Sequence, residues 1–457
     1  MTERLGGPLV RLSLVMVLGA MMSLIDATIV AVAVPHLATD LGVPLREVEW
    51  VSTAYLVAMA AATSCSGWAV QRFGARTVWL AAVAGFTAAS VLAACAWSLP
   101  SLVGFRVLQG IGGGLLEPVL FVVLPRAAGP ARVGRMLAVV SAGITVGPVV
   151  GPVLGGAILA VADWRWIFLV NLPIGLVVLA TSWRLVPRQD AADVGGTLDV
   201  RGLLLLPTGV AALLYGLSQS ARPGGGRGDV VLATALGIAL LVAYVRHAAS
   251  RGPSALVDLR PLRSPATAVA IGVMALLGAT IYGLNFALPQ LSVAVLGFSS
   301  AAIGVPVTAY ALGTLVGMPL ASRLSDGLGT RRLVVPGAVL VAVGLAVLAT
   351  IGASLPTAVL LAVLMVVGFA FGLIGAPTVA AIYRVTPHDL VPSATATMFV
   401  ANQLGGALGI AVLALLVDRG TGHGAQPLWL FVLAALAIGA LAVRLPGRPA
   451  PVPVPVG

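Results

Sequence analysis

Lysine is absent from this chain of 457 residues, so all 26 basic residues are arginine. Charge of either sign is scarce: Asp, Glu, Lys and Arg make up 9% of the residues, against about 25% in typical globular proteins. That shortfall excludes a water-soluble enzyme, although the length alone would suit about three soluble domains. Without lysine there is no Gly-Lys-Ser/Thr loop to cradle a nucleotide phosphate. The two cysteines, Cys65 and Cys95, both sit in apolar stretches and define neither a disulfide framework nor a metal site. His36, His247, His388 and His423 are scattered in or beside loops, and a metal site is not expected from them. Aromatic residues, at 5%, leave few stacking platforms for planar ligands. The formal charge of +11 is accompanied by no basic run and no basic helix face, which excludes a nucleic-acid partner and calls for another explanation.

What the chain has instead is apolar length. Fourteen runs approach or exceed the roughly 17 to 25 residues that a helix needs to cross a bilayer. They are Leu9 to Val34, Trp50 to Val70, Thr77 to Trp97, Leu102 to Leu124, Met136 to Ala160, Trp166 to Trp183, Gly202 to Gln219, Val230 to Val245, Ala266 to Leu288, Ala301 to Ala321, Leu333 to Ile351, Thr357 to Ile382, Ala394 to Val417 and Pro427 to Val443. Cytoplasmic loops collect arginine. With the N-terminus inside, the loops on that side hold 20 arginines and the opposite loops five (Arg46, Arg165, Arg222, Arg227 and Arg419), while Arg106 belongs to neither set. The bias stays in phase across the hairpins and predicts fourteen transmembrane helices with both termini cytoplasmic. The +11 is then mostly topology. The first run exceeds a signal-peptide core of about 7 to 15 residues and reads as an uncleaved helix.

The loops carry an internal repeat. Gly67-Trp-Ala-Val-Gln71-Arg72-Phe-Gly74-Ala-Arg76 follows the second run, and Ser322-Arg-Leu-Ser-Asp326-Gly-Leu-Gly329-Thr-Arg331 follows the tenth. Gln71 with Asp326, Gly74 with Gly329 and Arg76 with Arg331 are all 255 positions apart. Such repeats mark secondary transporters built from related halves. The expected division is an N-terminal six-helix bundle (1–183), a linker with two inserted helices (184–265), a C-terminal six-helix bundle (266–445) and a disordered proline-rich tail (446–457).

Three ionisable residues lie deep in the runs: Asp26, Arg106 and Glu117. A charge at the bilayer centre costs roughly 2.5 to 3.5 kcal/mol on insertion scales, so such residues face a cavity or one another. Arg106, Gly110, Gly113 and Glu117 follow each other by four, three and four, which places them on one helix face. The two charges are then about 16 Å apart along the axis, too far to pair. Depth permits an Asp26–Arg106 pair and leaves Glu117 as a second carboxylate nearer the cytoplasm. A static ion pair that only fixes helix packing is the competing reading. Desolvation favours the protonated form of a carboxylate and an opposite charge its ionised form, so carboxylates in an alternately wet and closed cavity suit proton carriage. A proton moving inward down a membrane potential releases about 2.3 kcal/mol per 100 mV. Gly143, Gly147, Gly151 and Gly155 form a stripe at fourfold spacing that allows close helix approach, and Pro148 and Pro152 bend that helix. Trp164 and Trp166 read as membrane-interface anchors.

Taken together the motifs resemble those of the fourteen-helix drug:proton antiporters of the major facilitator superfamily. The resemblance rests on Leu24-Ile-Asp26-Ala-Thr-Ile-Val30 with Ala33-Val-Pro35, on Gly67 to Arg76, and on Arg106-Val-Leu-Gln109-Gly110 with Gly112 and Gly113. It extends to Gly147-Pro-Val-Val-Gly151-Pro152-Val-Leu-Gly155-Gly156, Trp164-Arg-Trp166-Ile-Phe168 with Asn171-Leu-Pro173-Ile-Gly175, and Gln403-Leu-Gly405-Gly406-Ala-Leu-Gly409. Three positions depart from the family pattern. Gln71 stands where the loop motif carries an aspartate, Asn402 where a basic residue is common, and Glu117 where an apolar residue is usual.

The resemblance implies an all-α polytopic protein of the plasma membrane, with a central cavity between two six-helix bundles and two inserted helices. It also implies proton-coupled efflux of small lipophilic, conceivably cationic, compounds by a monomer, without enzymatic activity or any cofactor beyond the proton gradient. The partners are a small-molecule substrate, protons and the lipid bilayer. Asp26, Arg106 and Glu117 are the candidates for proton coupling. Glu117, Gln109, Tyr55, Tyr282, Asn285, Gln290, Tyr310 and Asn402 are candidates for the substrate cavity. Gating falls to Gly67, Gln71, Arg72, Gly74, Arg76, Gly147, Gly151, Pro152, Gly155, Asp326 and Arg331. The rivals are a proton-driven importer on the same fold, against which the helix-five stripe argues, and a lipid exporter or flippase. A polytopic membrane enzyme would need a catalytic cluster that the short loops lack.

Overall fold

The computed structural model describes residues 7–128, 136, 147, 150–187, 198–219, 227–294, 298, 304–387, 390–418 and 428–446. Outside these lie Gly143 and Pro148 of the helix-five motif, His388, His423, most of the 184–201 linker and nearly all of the proline-rich tail, and the side chains of Gln290 and Asp326 are likewise not described.

Every apolar run meets a helix. In chain order these are α1 (Gly7–Asp40), α2 (Leu45–Phe73), α3 (Ala75–Ala94) and α4 (Leu99–Ala128). Next come α5 (Val150–Leu159) and α6 (Trp166–Leu185), the latter a single turn at Trp166–Leu169 followed by Asn171–Leu185. The rest are α7 (Val200–Gln219), α8 (Arg227–Arg251), α9 (Pro265–Ala294), α10 (Gly304–Leu328), α11 (Thr330–Ile351), α12 (Thr357–Val385), α13 (Val391–Asp418) and α14 (Leu428–Ala442). Twelve of the described helices are long and apolar enough to cross a membrane, while α5 and α14 are shorter apolar helices. An intact helix satisfies its own backbone groups, which is the condition for lying in hydrocarbon.

The two copies of the loop repeat have the same backbone. Gly74 ends α2 and starts α3 at φ 80°, ψ 145°; Gly329 joins α10 to α11 at φ 81°, ψ 158°. Each donates its N–H to the carbonyl four residues back, Val70 or Ser325. Only glycine takes this conformation without strain, so the glycines fix the reversal between successive helices.

In one group α1 packs on α2, α4 and α6, α2 on α4, and α3 on α4 and α6. In the other α9 packs on α12, α13 and α14, α10 on α12, and α11 on α12 and α14. The groups join chiefly where α2 meets α13 and α1 meets α9. Helices α7 and α8 pair with one another, and α7 leans on both α2 and α13. The outer face of α8, with Val231, Leu232, Leu236 and Ile238, is left exposed, the surface expected of a helix bathed in lipid.

Candidate transport site

The site is built where α4 approaches α2. A Cβ added at Gly110 would fall 2.5 Å from the carbonyl oxygen of Tyr55, and one at Gly114 would fall 2.3 Å from that of Met59. Glycine at these positions lets the two backbones touch, and the contact lays the Tyr55 ring against Arg106, whose Cζ is 4.0 Å from the ring centroid. The Tyr55 hydroxyl is spent on the carbonyl of Ser23 at 2.8 Å.

Arg106 reaches Asp26 on α1 through Nη1, and neither side chain exposes any surface. The same nitrogen donates to Gln109 Oε1 at 2.6 Å, and Nε donates to the Val51 carbonyl at 2.9 Å. Asp26 Oδ1 accepts from Gln109 Nε2 at 2.8 Å and from Asn171 Nδ2 of α6 at 2.9 Å. Gln109 also donates to Ser90 Oγ at 2.7 Å. Side chains from α1, α3, α4 and α6 thus close around one ion pair. Nη2 of Arg106 is buried without a hydrogen-bond partner, and aromatic faces, those of Tyr55 and Phe168, are what lie near the guanidinium. Gln109 therefore belongs to the ion-pair network and does not line the cavity. Asn171 and Ser90 were not singled out as site residues from the sequence; Asn171 stood only as the first residue of the helix-six motif, and the signal for Ser90 was a polar residue inside an apolar run.

Glu117 lies three helical turns further along α4, separate from this network, as the spacing requires. It is 5% exposed, and among the described residues it has no hydrogen bond and no ion pair. It is close enough to interact electrostatically with Tyr55 and Tyr282, one from each group of helices.

A cavity of about 730 Å³ opens between the two groups at the end of the molecule that carries the Gly74 loop. Its walls come from α2 (Thr63 to Trp68, with Gln71 at the rim), α4 (Pro118, Phe121, Val122), α13 (Ser393, Thr397, Phe399), Tyr383 of α12 and the segment Pro253–Asp258. That segment is clamped to the inserted helices. Asp199, 3% exposed, accepts from His247 Nε2 at 2.7 Å and from the backbone N–H groups of Gly202 at 3.0 Å and Leu256 at 2.9 Å. Burial pushes the Asp199 carboxyl up, but these hydrogen bonds outweigh it and hold the group below the usual carboxylate range. Asp258, bound by Arg260 and Ser393, is lowered in the same way against its burial. Its carbonyl accepts from Thr397 Oγ1 of α13 at 3.1 Å.

At the opposite end the groups meet backbone to backbone. A Cβ on Gly156 of α5 would sit 3.1 Å from Cα of Gly304, the first residue of α10. The neighbouring stripe faces elsewhere: Cβ atoms on Gly147, Gly151 and Gly155 would strike Leu24, Thr28 and Ile29 of α1. The stripe thus seats α5 on the helix that carries Asp26, and the contact between groups is made by Gly156 alone of these four. Pro152 shares α5 with them.

The remaining polar picks are dispersed. Tyr310 packs edge-on to Phe371 within one group, ring centroids 5.8 Å apart. Asn402 Nδ2 donates to the Met274 carbonyl at 2.9 Å, tying α13 to α9. Asn285 donates to Ile281 on its own helix, and its Oδ1 is buried without a partner. Arg76 stays within its group, reaching the Trp183 carbonyl, and the Arg331 N–H donates to the Pro446 carbonyl at 3.4 Å. Gly67 and Arg72 lie near the cavity mouth on the last turns of α2, with an open space beside Gly67. Trp166 is 56% exposed, but Trp164 is buried. It donates to Asp40 Oδ2 at 2.8 Å, so it ties α1 to α6 and corrects the expectation of a membrane-interface anchor.

The sequence matches the Major Facilitator Superfamily over residues 16–282 and again over 268–457. The chain belongs to the major facilitator superfamily. The double match fits a major facilitator chain with a repeat in its loops. It is 37% identical over 430 residues to the multidrug resistance protein B homolog of Mycobacterium tuberculosis, covering 92% of this chain and 78% of that one. Identity is 31% over 437 residues to the puromycin resistance protein of Streptomyces alboniger, covering 90% and 84%. It is 29% over 419 residues to the tetracenomycin C resistance and export protein of Streptomyces glaucescens, covering 91% and 77%. The crystal structure of a D-xylose-proton symporter superposes with a TM-score of 0.68 over 96% of this chain and 98% of that one, at 17% identity, a likeness of fold. As a major facilitator chain with these helices, the protein is a multi-pass component of the cell membrane.

Proposed function

We propose that this protein exports small lipophilic compounds, cations among them, in exchange for protons, by alternating access between two six-helix bundles. The observation that carries the reading is Glu117: a carboxylate enclosed by protein, without a counter-ion among the described residues, beside a cavity of mixed polar and apolar lining at the junction of the bundles. A buried charge left uncompensated is costly, and an organic cation supplies both the missing charge and an apolar body. The relatives named for drug resistance and export support the direction of transport.

Asp26 carries the coupling proton in this reading. Protonation removes the counter-ion of Arg106, which keeps the Val51 carbonyl, Gln109 and the aromatic faces. The constraint between α1 and α4 relaxes, and α1 transmits it to α9 of the other bundle and to α5, which rests on it. The bundles comprise 1–183 and 266–445, the two inserted helices bring the crossings to fourteen, both termini lie in the cytoplasm, and the cavity opens to that side. The transporter acts as a monomer, without enzymatic chemistry or a bound cofactor.

The test uses inside-out vesicles under an imposed pH gradient, with a panel of lipophilic cations, anions and lipids. Asp26→Asn abolishes gradient-driven uptake of every substrate, and Glu117→Gln abolishes uptake of cations while sparing neutral compounds. Transport that survives Asp26→Asn unchanged removes the coupling role. Selective movement of lipids turns the assignment to a lipid exporter.

A further inference from the structure

The wall of the cavity offers many hydrogen-bond acceptors and few donors. On α2 the Thr63 hydroxyl donates to the Gly114 carbonyl of α4 at 2.9 Å, and Ser64 donates to the Ala60 carbonyl at 2.8 Å. On α13, Thr395 donates to the Val391 carbonyl at 2.9 Å, and Thr397 to those of Asp258 at 3.1 Å and Ser393 at 2.8 Å. All four side chains line the cavity. A hydroxyl has one proton and two lone pairs, so with the proton committed to backbone it meets a ligand as an acceptor. The commitment of Thr63 has a cause in the sequence. Pro118, four residues after Gly114, has no N–H to give, which frees that carbonyl inside α4, and Thr63 takes the place of the missing donor.

The donors of the lining sit nearer the mouth: Trp68 and Gln71 on the last two turns of α2, Tyr383 on the last turn of α12, and Ser254 exposed at the rim. Ser66 is the exception on the α2 wall, a hydroxyl with no hydrogen bond among the described residues. No arginine or histidine occurs among the described lining residues, which leaves little to seat an anion. Rings of the lining are engaged with other rings, Phe121 with Phe399 at 6.3 Å between centroids and Trp68 with Phe73 at 5.6 Å. Less ring face is then left for the cation–π contacts on which a quaternary ammonium depends. Glu117 completes the set. It follows Gly114 by three residues, about 4.5 Å along α4, and its neighbour Pro118 lines the cavity. The Thr63 oxygen and the Glu117 carboxylate thus lie within about one helical turn of each other along α4.

We propose that this cavity selects cations that carry N–H groups, namely protonated amines, amidines or guanidines, over fully quaternised ones, with the N–H groups seated on Thr63 and Glu117. The proposal rests on the reading of the protein as an exporter whose substrates include cations, with Glu117 as their counter-charge. A protonated amine donates to a carboxylate and to a hydroxyl oxygen at once, and such charge-assisted bonds are the strong ones. A trimethylammonium group satisfies the charge of the carboxylate but donates nothing to the hydroxyl.

The selection is tested by binding, without transport. The full chain is purified into lipid nanodiscs, with empty nanodiscs as the blank, and titration calorimetry follows three probes: a phenylbutylammonium ion, its N,N,N-trimethyl counterpart and phenylbutanol. At pH 7 the amine, like a lysine side chain with a pKa of about 10, is fully charged, so the two cations differ in N–H groups and not in charge. The ammonium ion is expected to bind about tenfold or more tightly than the trimethyl ion, the worth of one hydrogen bond to a charged group. Thr63→Val removes that advantage and leaves the trimethyl ion's affinity unchanged, Thr63→Ser restores it, and Glu117→Gln weakens both cations alike. Equal binding of the two cations by the wild type overturns the selection and leaves cation export standing, and this comparison decides even where Thr63→Val does not fold. A Thr63→Val protein that weakens both cations equally also overturns it. Phenylbutanol bound as tightly as the ammonium ion, with no effect of Glu117→Gln on any probe, removes the cation reading itself and the selection with it.

Discussion

Asp26 on α1 and Arg106 on α4 form an ion pair in which neither side chain exposes surface, and α6 enters it through Asn171. A pair so enclosed serves poorly as a source of stability and well as a switch, because either partner left alone is a buried charge without compensation.

Asp26→Asn and Arg106→Gln are each expected to destabilise the protein by about 3–5 kcal/mol, whereas the double variant recovers much of the loss, since no charge is then stranded. Thermal unfolding in detergent measures this. Gradient-driven transport stays absent in all three. A double variant no more stable than the single ones would show that the pair is not a coupled unit.

Gly74→Ala and Gly329→Ala are expected to be equally harmful, each by about 1–3 kcal/mol, because the two residues share φ values of 80° and 81°. Gly67→Ala, seven residues away in the same motif, is expected to stabilise slightly, by about 0.5–1 kcal/mol, because it is helical and an added Cβ there meets nothing within 4 Å. Unfolding midpoints of the three variants decide the matter.

Gly151→Ala places a Cβ 2.1 Å from Thr28 Oγ1 and 2.7 Å from the Ile25 carbonyl oxygen. Overpacking of this kind costs about 1–3 kcal/mol. Thr28→Ala in the same background is expected to return only part of the stability, because the Ile25 oxygen belongs to the backbone. Full recovery would place the whole strain on the threonine.

A carboxylate held below its ordinary range contributes stability that is present above its unfolded pKa and is lost as the pH falls through its folded one. Asp199 is such a group. Its grip on Leu256 is therefore expected to persist from neutral pH through the ordinary carboxylate range near pH 4 and to fail only below it. Hydrogen-exchange protection of the Leu256 amide, compared with Asp199→Asn, checks this: the variant loses protection at every pH, since an amide offers one acceptor oxygen where three donors converge. Protection in the wild type that disappears well above pH 4 would contradict it.

Much of this was legible in the residues. Apolar length located all fourteen helices, and the spacing of Arg106 and Glu117 placed them on one face and out of each other's reach. The depth argument for Asp26 with Arg106 agrees with the contact observed. Partners brought by other helices were not legible: Ser90 looks like any polar residue in an apolar run, and the motif that contains Asn171 does not say what it binds, until α3 and α6 fold over Gln109 and Asp26. Tyr310 and Asn402 illustrate the converse, since a polar group in a membrane helix has equal reason to serve a neighbouring helix. The fourfold glycine spacing announced a close approach, but periodicity carries no information about which helix arrives; it is α1. The clamp at Asp199 joins residues 48 and 57 positions apart, beyond any local pattern.

The contact between Gly156 and Gly304 has a mechanical consequence. Where two glycines face each other there are no side chains to withdraw from holes, so this one contact offers little resistance to rolling or sliding. In the proposed alternating access, the glycine pair would serve as the bearing, and the extent of the swing would be set at the opposite end, where the clamp at Asp199 and Asp258 is found.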